Sequence, residues 1–273
     1  LAVTCSWRKI KNRHRDTPQF AVLAYGKLGG KELGYASDLD MVFVHDDDAP
    51  ESAELYTRLG QRTNTWLSAQ TPAGQLFETD LRLRPNGDAG LMVVSLESFR
   101  QYQLENAWVW EHQALTRARF CAGDKAIGAR FEAIRIEVLR QKRDLAKLRE
   151  EVLAMRQRMA DAHPNKSELF DLKHDRGGLI DVEFIVQYLV LGYAHEHANL
   201  TGNLGNIALL HMAGELGLIP TDAAATVADT YREYRRLQHG LRLNNQASRV
   251  EREQVAGAAA GVQLLWEKVF GVA

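Results

Sequence analysis

The chain has 273 residues, 45% hydrophobic and 25% charged, which suits one large core or two smaller ones and excludes disorder as the main state. Lys plus Arg (34) nearly cancel Asp plus Glu (35) for a net charge of −1, so no global field draws in nucleic acid or an anionic membrane, and any anion binding has to be local. The two cysteines, Cys5 and Cys121, lie far apart with no CxxC or Cys/His cluster, which argues against a disulfide framework or structural zinc and points to a reducing, cytoplasmic setting.

No apolar run approaches membrane-spanning length, and no charged-then-apolar signal pattern follows Leu1. The start without Met and the basic run RKIKNRHR (8–15) read as a chain cut from something longer, with 1–17 as a linker. Residues 20–28 (FAVLAYGKL) and 38–45 (DLDMVFVH) are predicted strands joined through Gly29, Gly30 and Gly34. Residues 53–69 carry Leu55, Leu59, Thr63, Trp66 and Leu67 at helical spacing. A third strand, LFETDLRLRP, is predicted at 76–85, closed by Pro85, Gly87 and Gly90. From about Leu96 the pattern turns helical, with segments at 96–103 and 106–119 and a boundary at 121–128. Leu145, Leu148, Val152, Met155 and Met159 then recur every three or four residues until Pro164, and amphipathic helices fit 179–194, 203–217, 221–243 and 251–270. The expected architecture is α+β: a small mixed-sheet domain over 18–122, followed by an all-helical bundle over 123–273.

The chemistry concentrates in YGKLGGKELGYASDLDMVFVHD, Tyr25 to Asp46. Asp38 and Asp40, two apart on a strand, project from one face while Leu39, Met41 and Phe43 project from the other. Side by side these carboxylates repel and call for a cation. In the third predicted strand Glu78, Asp80, Arg82 and Arg84 share a face. In isolation that is an exposed amphipathic edge; paired with the Asp38–Asp40 strand, it brings three carboxylates together beside two guanidinium groups. Hard divalent cations take oxygen ligands and arginines hold phosphate oxygens, so the set describes a metal-dependent phosphoryl-transfer site. Gly29 and Gly30 alone mark a tight turn; before Ser-Asp-Leu-Asp (37–40) they suit close backbone approach to a triphosphate. Gly-Gly, Asp-x-Asp on a strand and a later third carboxylate form the layout of DNA polymerase β-like nucleotidyltransferases.

A narrower resemblance follows. YGKLGGKELGYASDLDMVF (25–43), DLRLRPNGDAG (80–90), ENAWVWEHQALTRAR (105–119) and DRGGLIDVEFIVQYLVL (175–191) together resemble the bacterial glutamine-synthetase adenylyltransferase/adenylyl-removing family, in order and over nearly the whole chain from about residue 18. Family members carry two nucleotidyltransferase halves, and AWVWEHQALTRARF resembles the C-terminal, adenylylating half, as does the short helical end after Trp266. The resemblance implies transfer of AMP from ATP to a tyrosine of glutamine synthetase with release of pyrophosphate, in a metal-dependent reaction using magnesium or manganese. It implies Asp38, Asp40 and Asp80 as metal ligands, with Asp80 also the candidate general base. Gly29 and Gly30 become the phosphate turn, with Ser37, Lys27, Arg82 and Arg84 as further nucleotide contacts; either arginine is equally suited to bracing the aspartates. The PII signal protein and glutamine are implied as regulators of the full-length enzyme.

Three other readings stay in view. The deadenylylating half runs nearly the same chemistry as phosphorolysis, an inactive nucleotide-binding module would lack a carboxylate, and a nucleic-acid polymerase would show a basic, aromatic-interleaved track that is absent beyond residues 8–15. HDDDAPE (45–51) is expected to be a solvated turn, and AHEHANL (194–200) lacks the spacing of a zinc site. Of Trp108 and Trp110, one is expected to pack against the domain junction. GGLIDVEF (177–184) reads as a helix start, with a second reading in which Lys173, Asp181 or Glu183 faces the nucleotide cleft.

Overall fold

The computed structural model describes residues 1–35 and 37–271, and the chain divides into two compact units, Leu1–Val138 and Leu139–Ala273. In the first unit, helix α1 (Ala2–Arg8) precedes strand β1 (Phe20–Ala24), all five of whose residues are buried. A single helical turn, α2 (Gly26–Gly29), leads to strand β2 (Leu39–His45), which pairs antiparallel with β1 from Phe20↔His45 to Ala24↔Met41. The predicted first strand therefore ends four residues early. Gly26, at φ +50°, turns the chain there, in a backbone region that favours glycine.

Helix α3 (Ser52–Ser68) and a short hairpin of β3 (Gln70–Thr71) and β4 (Gly74–Gln75) follow. The third predicted strand shrinks to β5 (Thr79–Asp80), parallel to β2 with Leu39 opposite Thr79 and Asp40 opposite Asp80. Strand β6 (Val93–Ser95) continues along the same side of β2, pairing Phe43 with Val93. Helices α4 (Leu96–Glu105) and α5 (Val109–Leu115) then precede β7 (Arg119–Gly123), a strand the sequence pattern did not reveal, which pairs antiparallel with β1. The sheet order is β5-β2-β1-β7 with β6 on β2. This mixed sheet packs Val22, Leu39, Met41 and Phe43 against Leu55, Tyr56 and Leu59 of α3.

Helix α6 (Lys125–Leu139) falls mainly in the first unit rather than opening the second, so the division lies at 138/139 instead of the expected 122/123. The reason is its packing: Phe131 meets Phe99 of α4, ring centroids 5.8 Å apart, and Gly128 leaves room for the Phe120 ring.

Residues 1–17, expected as a linker, are built into this unit. Trp7, 1% exposed, stacks on Tyr56 at 5.5 Å, and its indole N–H donates to the carbonyls of Arg15 and Asp16. The acidic run at 45–51 holds the other end of that contact. Asp47 is buried, accepting hydrogen bonds from the Tyr56 hydroxyl (2.7 Å), the Ala49 N–H (3.1 Å) and Arg15 (3.1 Å), and lying 2.7 Å from the His14 ring. Asp46 pairs with Arg130, and of the three aspartates only Asp48 is exposed. The charge run was legible; the long-range partners that bury its middle member were not.

In the second unit α7 (Leu145–Ala162) starts at an Asp144 cap whose carboxylate accepts from the Ala146 and Lys147 N–H groups, and ends at His163 before Pro164. Strand β8 (Phe170–Asp171) leads to α8 (Leu179–Tyr193), whose apolar residues are buried around most of its circumference. A helix hydrophobic all round belongs at the centre of a bundle. Around it pack α7, α9 (Asn206–Glu215), α10 (Thr221–Leu243) and α11 (Arg252–Phe270), with β9 (Arg249–Val250) pairing antiparallel with β8. No helix among the described residues is long and apolar enough to cross a membrane.

The Asp47 cluster yields a stability prediction. Burial works to raise this carboxyl's pKa, but hydrogen bonds from Tyr56, Ala49 and His14 hold it below the ordinary range. A depressed folded pKa gives stability that is fully present above about pH 4 and is lost as pH falls through the folded value. Asp47→Asn is expected to cost about 2–4 kcal/mol at neutral pH and to flatten the acid side of the stability curve. Urea unfolding of both proteins from pH 7 to pH 3 checks both effects.

Candidate active site

The register of β2 and β5 decides the geometry of the site. Asp40 and Asp80 face each other across the parallel pair, and Asp38, one residue before β2, joins them. One carboxylate oxygen from each of the three lies within 4.8 Å of the others, and all three side chains are half-buried. The remaining positions of β2 are buried, so the sheet holds the aspartates against their repulsion. The cost shows in Asp40, whose carboxyl is pushed up to about 6 by burial and then by the charges of Asp38 and Asp80, with Lys27 and Arg117 acting in the opposite direction. An apolar cavity of about 500 Å³ lies on the other face of β2, lined by Leu39, Met41 and Leu67, away from the carboxylates.

The arginines do not share a strand face as predicted, because the chain leaves extended conformation after Asp80. The Asp80 carboxylate accepts from the backbone N–H of Arg82 (2.8 Å), a side-chain-to-backbone turn that ends the strand. The Arg82 guanidinium folds back over both Asp80 oxygens, Nε at 3.1 and 2.9 Å and Nη2 on Oδ2, and holds this carboxyl below the ordinary range. Arg84 turns away and donates to the carbonyls of Leu81 (2.8 Å), Asp88 (3.2 Å) and Gly90 (3.2 Å), stapling the 81–90 loop.

The glycine turn also differs in detail. The N–H groups of Gly29 and Gly30 donate within α2, to the carbonyls of Tyr25 (2.7 Å) and Gly26 (3.0 Å), so they do not form an open nest. Their missing Cβ atoms serve packing: at Gly29 a Cβ would stand 2.2 Å from the Arg117 carbonyl, and at Gly30 2.6 Å from the Arg117 guanidinium. Gly26, which sequence reasoning did not single out, is the glycine nearest the carboxylates, where a Cβ would stand 2.1 Å from Asp40 Oδ2. Lys27 rides on the same turn. The Ser37 hydroxyl accepts from the Gly34 N–H (3.1 Å) and ties the connecting loop.

Arg117 and Arg119, at the end of the tract 105–119, brace this turn. Arg117 pairs with Glu32 at 2.8 Å, and Arg119 reaches from β7 to the carbonyls of Leu28 and Gly29. Glu111 of the same tract is buried and accepts from the Tyr102 hydroxyl and the Trp108 N–H. Trp108 is 68% exposed at the start of α5 and Trp110 is half-buried.

Asp181 of the second unit is 1% exposed and locked in the helix start, accepting from Arg156 Nε (2.5 Å) and the Gly177 N–H (2.6 Å). Glu183 accepts from the Tyr231 hydroxyl (3.1 Å), and Lys173 is exposed.

A small mixed sheet that converges three carboxylates beside a glycine turn, followed by helices, is the architecture of a polymerase β-like nucleotidyltransferase. A family model described as glutamate-ammonia ligase adenylyltransferase matches residues 2–134, and one described as GlnD PII-uridylyltransferase matches residues 146–255. The chain is 69% identical, over its whole length and 29% of the relative's, to a bifunctional glutamine synthetase adenylyltransferase/adenylyl-removing enzyme of Aromatoleum aromaticum. Enzymes of the same description from Nitrosomonas europaea and Bordetella bronchiseptica are 56% and 58% identical, each over 97% of this chain and 30% and 28% of their own lengths. The chain belongs to the bifunctional glutamine synthetase adenylyltransferase/adenylyl-removing family and spans less than a third of the length of these relatives.

Asp40→Asn is expected to leave metal-free thermal stability level or raised, because it removes like-charge repulsion, and to abolish the stabilisation given by added manganese. Gly26→Ala is expected to lose the manganese effect through the clash with Asp40, while the strained backbone costs about 1–2 kcal/mol. Melting curves with and without the ion measure both. A full manganese shift in either variant contradicts the assigned cluster.

Proposed function

We propose that the chain is the adenylylating half of its family: it transfers AMP from ATP to a tyrosine hydroxyl of glutamine synthetase and releases pyrophosphate. The observation that carries this reading is the convergence of Asp38, Asp40 and Asp80 within 4.8 Å in a chain so similar to enzymes that act on glutamine synthetase. The tract AWVWEHQALTRARF (107–120) supports the adenylylating direction.

The donor set fits a hard divalent cation, magnesium or manganese: three carboxylates offer only oxygen ligands within 4.8 Å of one another, and the Asp40 carboxyl is raised first by burial and then by its two acidic neighbours. Asp38, Asp40 and Asp80 would hold it; when bound, such an ion neutralises phosphate charge and makes a nearby hydroxyl more acidic. The chain's own residues then divide the work. Lys27 supplies positive charge beside Asp40. Arg82, its side chain 73% exposed, holds Asp80 in the resting site but is open to solvent and so to a phosphate. Its transfer from Asp80 to the nucleotide would neutralise the substrate and, in the same motion, free an Asp80 oxygen to accept the tyrosine proton. Arg84, Gly29, Gly30 and Ser37 shape the loops on which these groups stand. The longer protein's regulation by the PII signal protein and glutamine belongs to the same reading, and the match of residues 146–255 to a PII-uridylyltransferase model is in keeping with that setting.

Given labelled ATP, magnesium and unmodified bacterial glutamine synthetase, the chain is expected to place AMP on a synthetase tyrosine and to add nothing to RNA or DNA ends. Release of ADP from adenylylated synthetase and phosphate, without the forward reaction, assigns it to the deadenylylating half instead. Within the same assay Arg82→Ala is expected to raise KM for ATP more than it lowers kcat, since the lost charge acts on the bound nucleotide.

A further inference from the structure

We propose that Arg119 is a positioning residue, which sets the distance between the α2 turn and Asp40 by clamping the end of that turn. The inference rests on the nucleotidyltransfer reading of the carboxylate site. Helix α2 is one turn long, and a single turn has too few internal hydrogen bonds to hold itself. Of its last carbonyls, that of Lys27 accepts from the Glu32 N–H at 2.9 Å and that of Leu28 only weakly from the Lys31 N–H at 3.4 Å, so donors from outside the turn add to its hold. Arg119 adds such donors from β7: Nε donates to the Gly29 carbonyl at 3.1 Å and Nη2 to that of Leu28 at 3.0 Å, while Nη1 donates to the Phe120 carbonyl at 3.3 Å. A cation at a helix C-terminus also suits the partial negative charge of those carbonyls.

The clamp is registered to the site through the sheet. Arg119 pairs with Ala24, and the next residue, Tyr25, donates its N–H to the Asp40 carbonyl at 2.9 Å. At the far end of α2, Gly26 lies so close to Asp40 Oδ2 that a Cβ would stand 2.1 Å from it. Movement of the turn therefore moves directly against a metal-binding carboxylate and carries Lys27 with it. Arg117 closes the same loop from the other side through Glu32, but its carbonyl and guanidinium are already packed on Gly29 and Gly30, so its removal disturbs packing as well as position. Arg119 is the cleaner lever, since its three hydrogen bonds go to backbone carbonyls.

The test uses Arg119→Met and Arg119→Lys with three readouts. Hydrogen exchange of the Gly29 and Gly30 amides in metal-free protein is expected to quicken in the Met variant while exchange in β1 and β2 is unchanged. Manganese affinity is expected to fall roughly 10-fold and kcat for AMP transfer roughly 10- to 100-fold, with KM for ATP within about 3-fold, as for removal of a group that orients metal ligands. Lysine keeps the charge but not the two-pronged donor, so Arg119→Lys is expected to fall between Met and the parent chain. Should Arg119→Met not fold, Arg119→Gln carries the same readouts. A folded Met or Gln variant with parental α2 exchange and manganese affinity overturns the proposal, and a Lys variant equal to the parent in all three overturns the two-carbonyl clamp. Failure of the parent chain itself to transfer AMP, with the exchange and manganese effects present, would instead count against the functional reading.

Discussion

Three carboxylates held within 4.8 Å of one another are the constraint around which the first unit is arranged. At an effective dielectric near 20, each pair of charges at that separation repels by about 3 kcal/mol, and a flexible loop would relax by moving apart. Here two of the three are fixed by backbone pairing, with Asp40 opposite Asp80, and the third precedes a strand whose next residue is buried. The repulsion is opposed by sheet pairing and by the apolar contacts of Leu39, Met41 and Phe43 with α3. The tie between α1, Tyr56 and Asp47 belongs to the same account, because it buttresses the core on which β2 lies.

The glycine turn answers a second requirement, which is access. On the proposed reading Asp40 is approached by a cation and a nucleotide, which suits a segment over it without side-chain bulk, and Gly26 provides that with a positive φ and no Cβ. That freedom also makes the turn floppy unless something holds it. Arg117 and Arg119 do so from β7 and the residues before it, on the opposite side of β1 from β2. The arginine-rich end of the 105–119 tract thus belongs to the architecture of the site although it lies about ninety residues from the turn.

Much of this was legible in the sequence, and the exceptions have physical causes. The apolar run LDMVFVH showed a strand buried on both faces, and the i, i+2 spacing of Asp38 and Asp40 at its start showed that they share one of them. The four long C-terminal helices were readable from spacing, and 221–243 matches α10 residue for residue. The third strand misled: LFETDLRLRP alternates charged with uncharged residues from Phe77 to Arg84, yet an aspartate that bonds the N–H two residues on competes with extension, and the strand stops at Asp80. Strand β7 was hidden because RFCAG is short and half-exposed, and is held by its register with β1 rather than by a pattern of its own. Asp47 was hidden for another reason. Its burial depends on His14 and Arg15, more than thirty residues away, and no local window contains that pairing.

The resting charges of the site also suggest an order of events. Asp80 is neutralised by Arg82 and Arg117 by Glu32, whereas Asp40 carries a raised carboxyl beside Asp38. The two halves of the cluster therefore differ before any ligand arrives: the Asp80 carboxylate is held by the Arg82 guanidinium, whereas the Asp40 carboxyl is raised first by burial and then by Asp38 and Asp80, with Lys27 and Arg117 opposing. On the proposed reading a divalent cation gains most beside Asp38 and Asp40, where it would replace repulsion with attraction. In that reading Asp80 is engaged once Arg82, whose own side chain is 73% exposed, gives up its hold, and a polyphosphate is a ligand to which that guanidinium would transfer. On the proposed reading, completion of the carboxylate set would thus be coupled to arrival of the nucleotide, the third carboxylate becoming available when there is a phosphate to act upon.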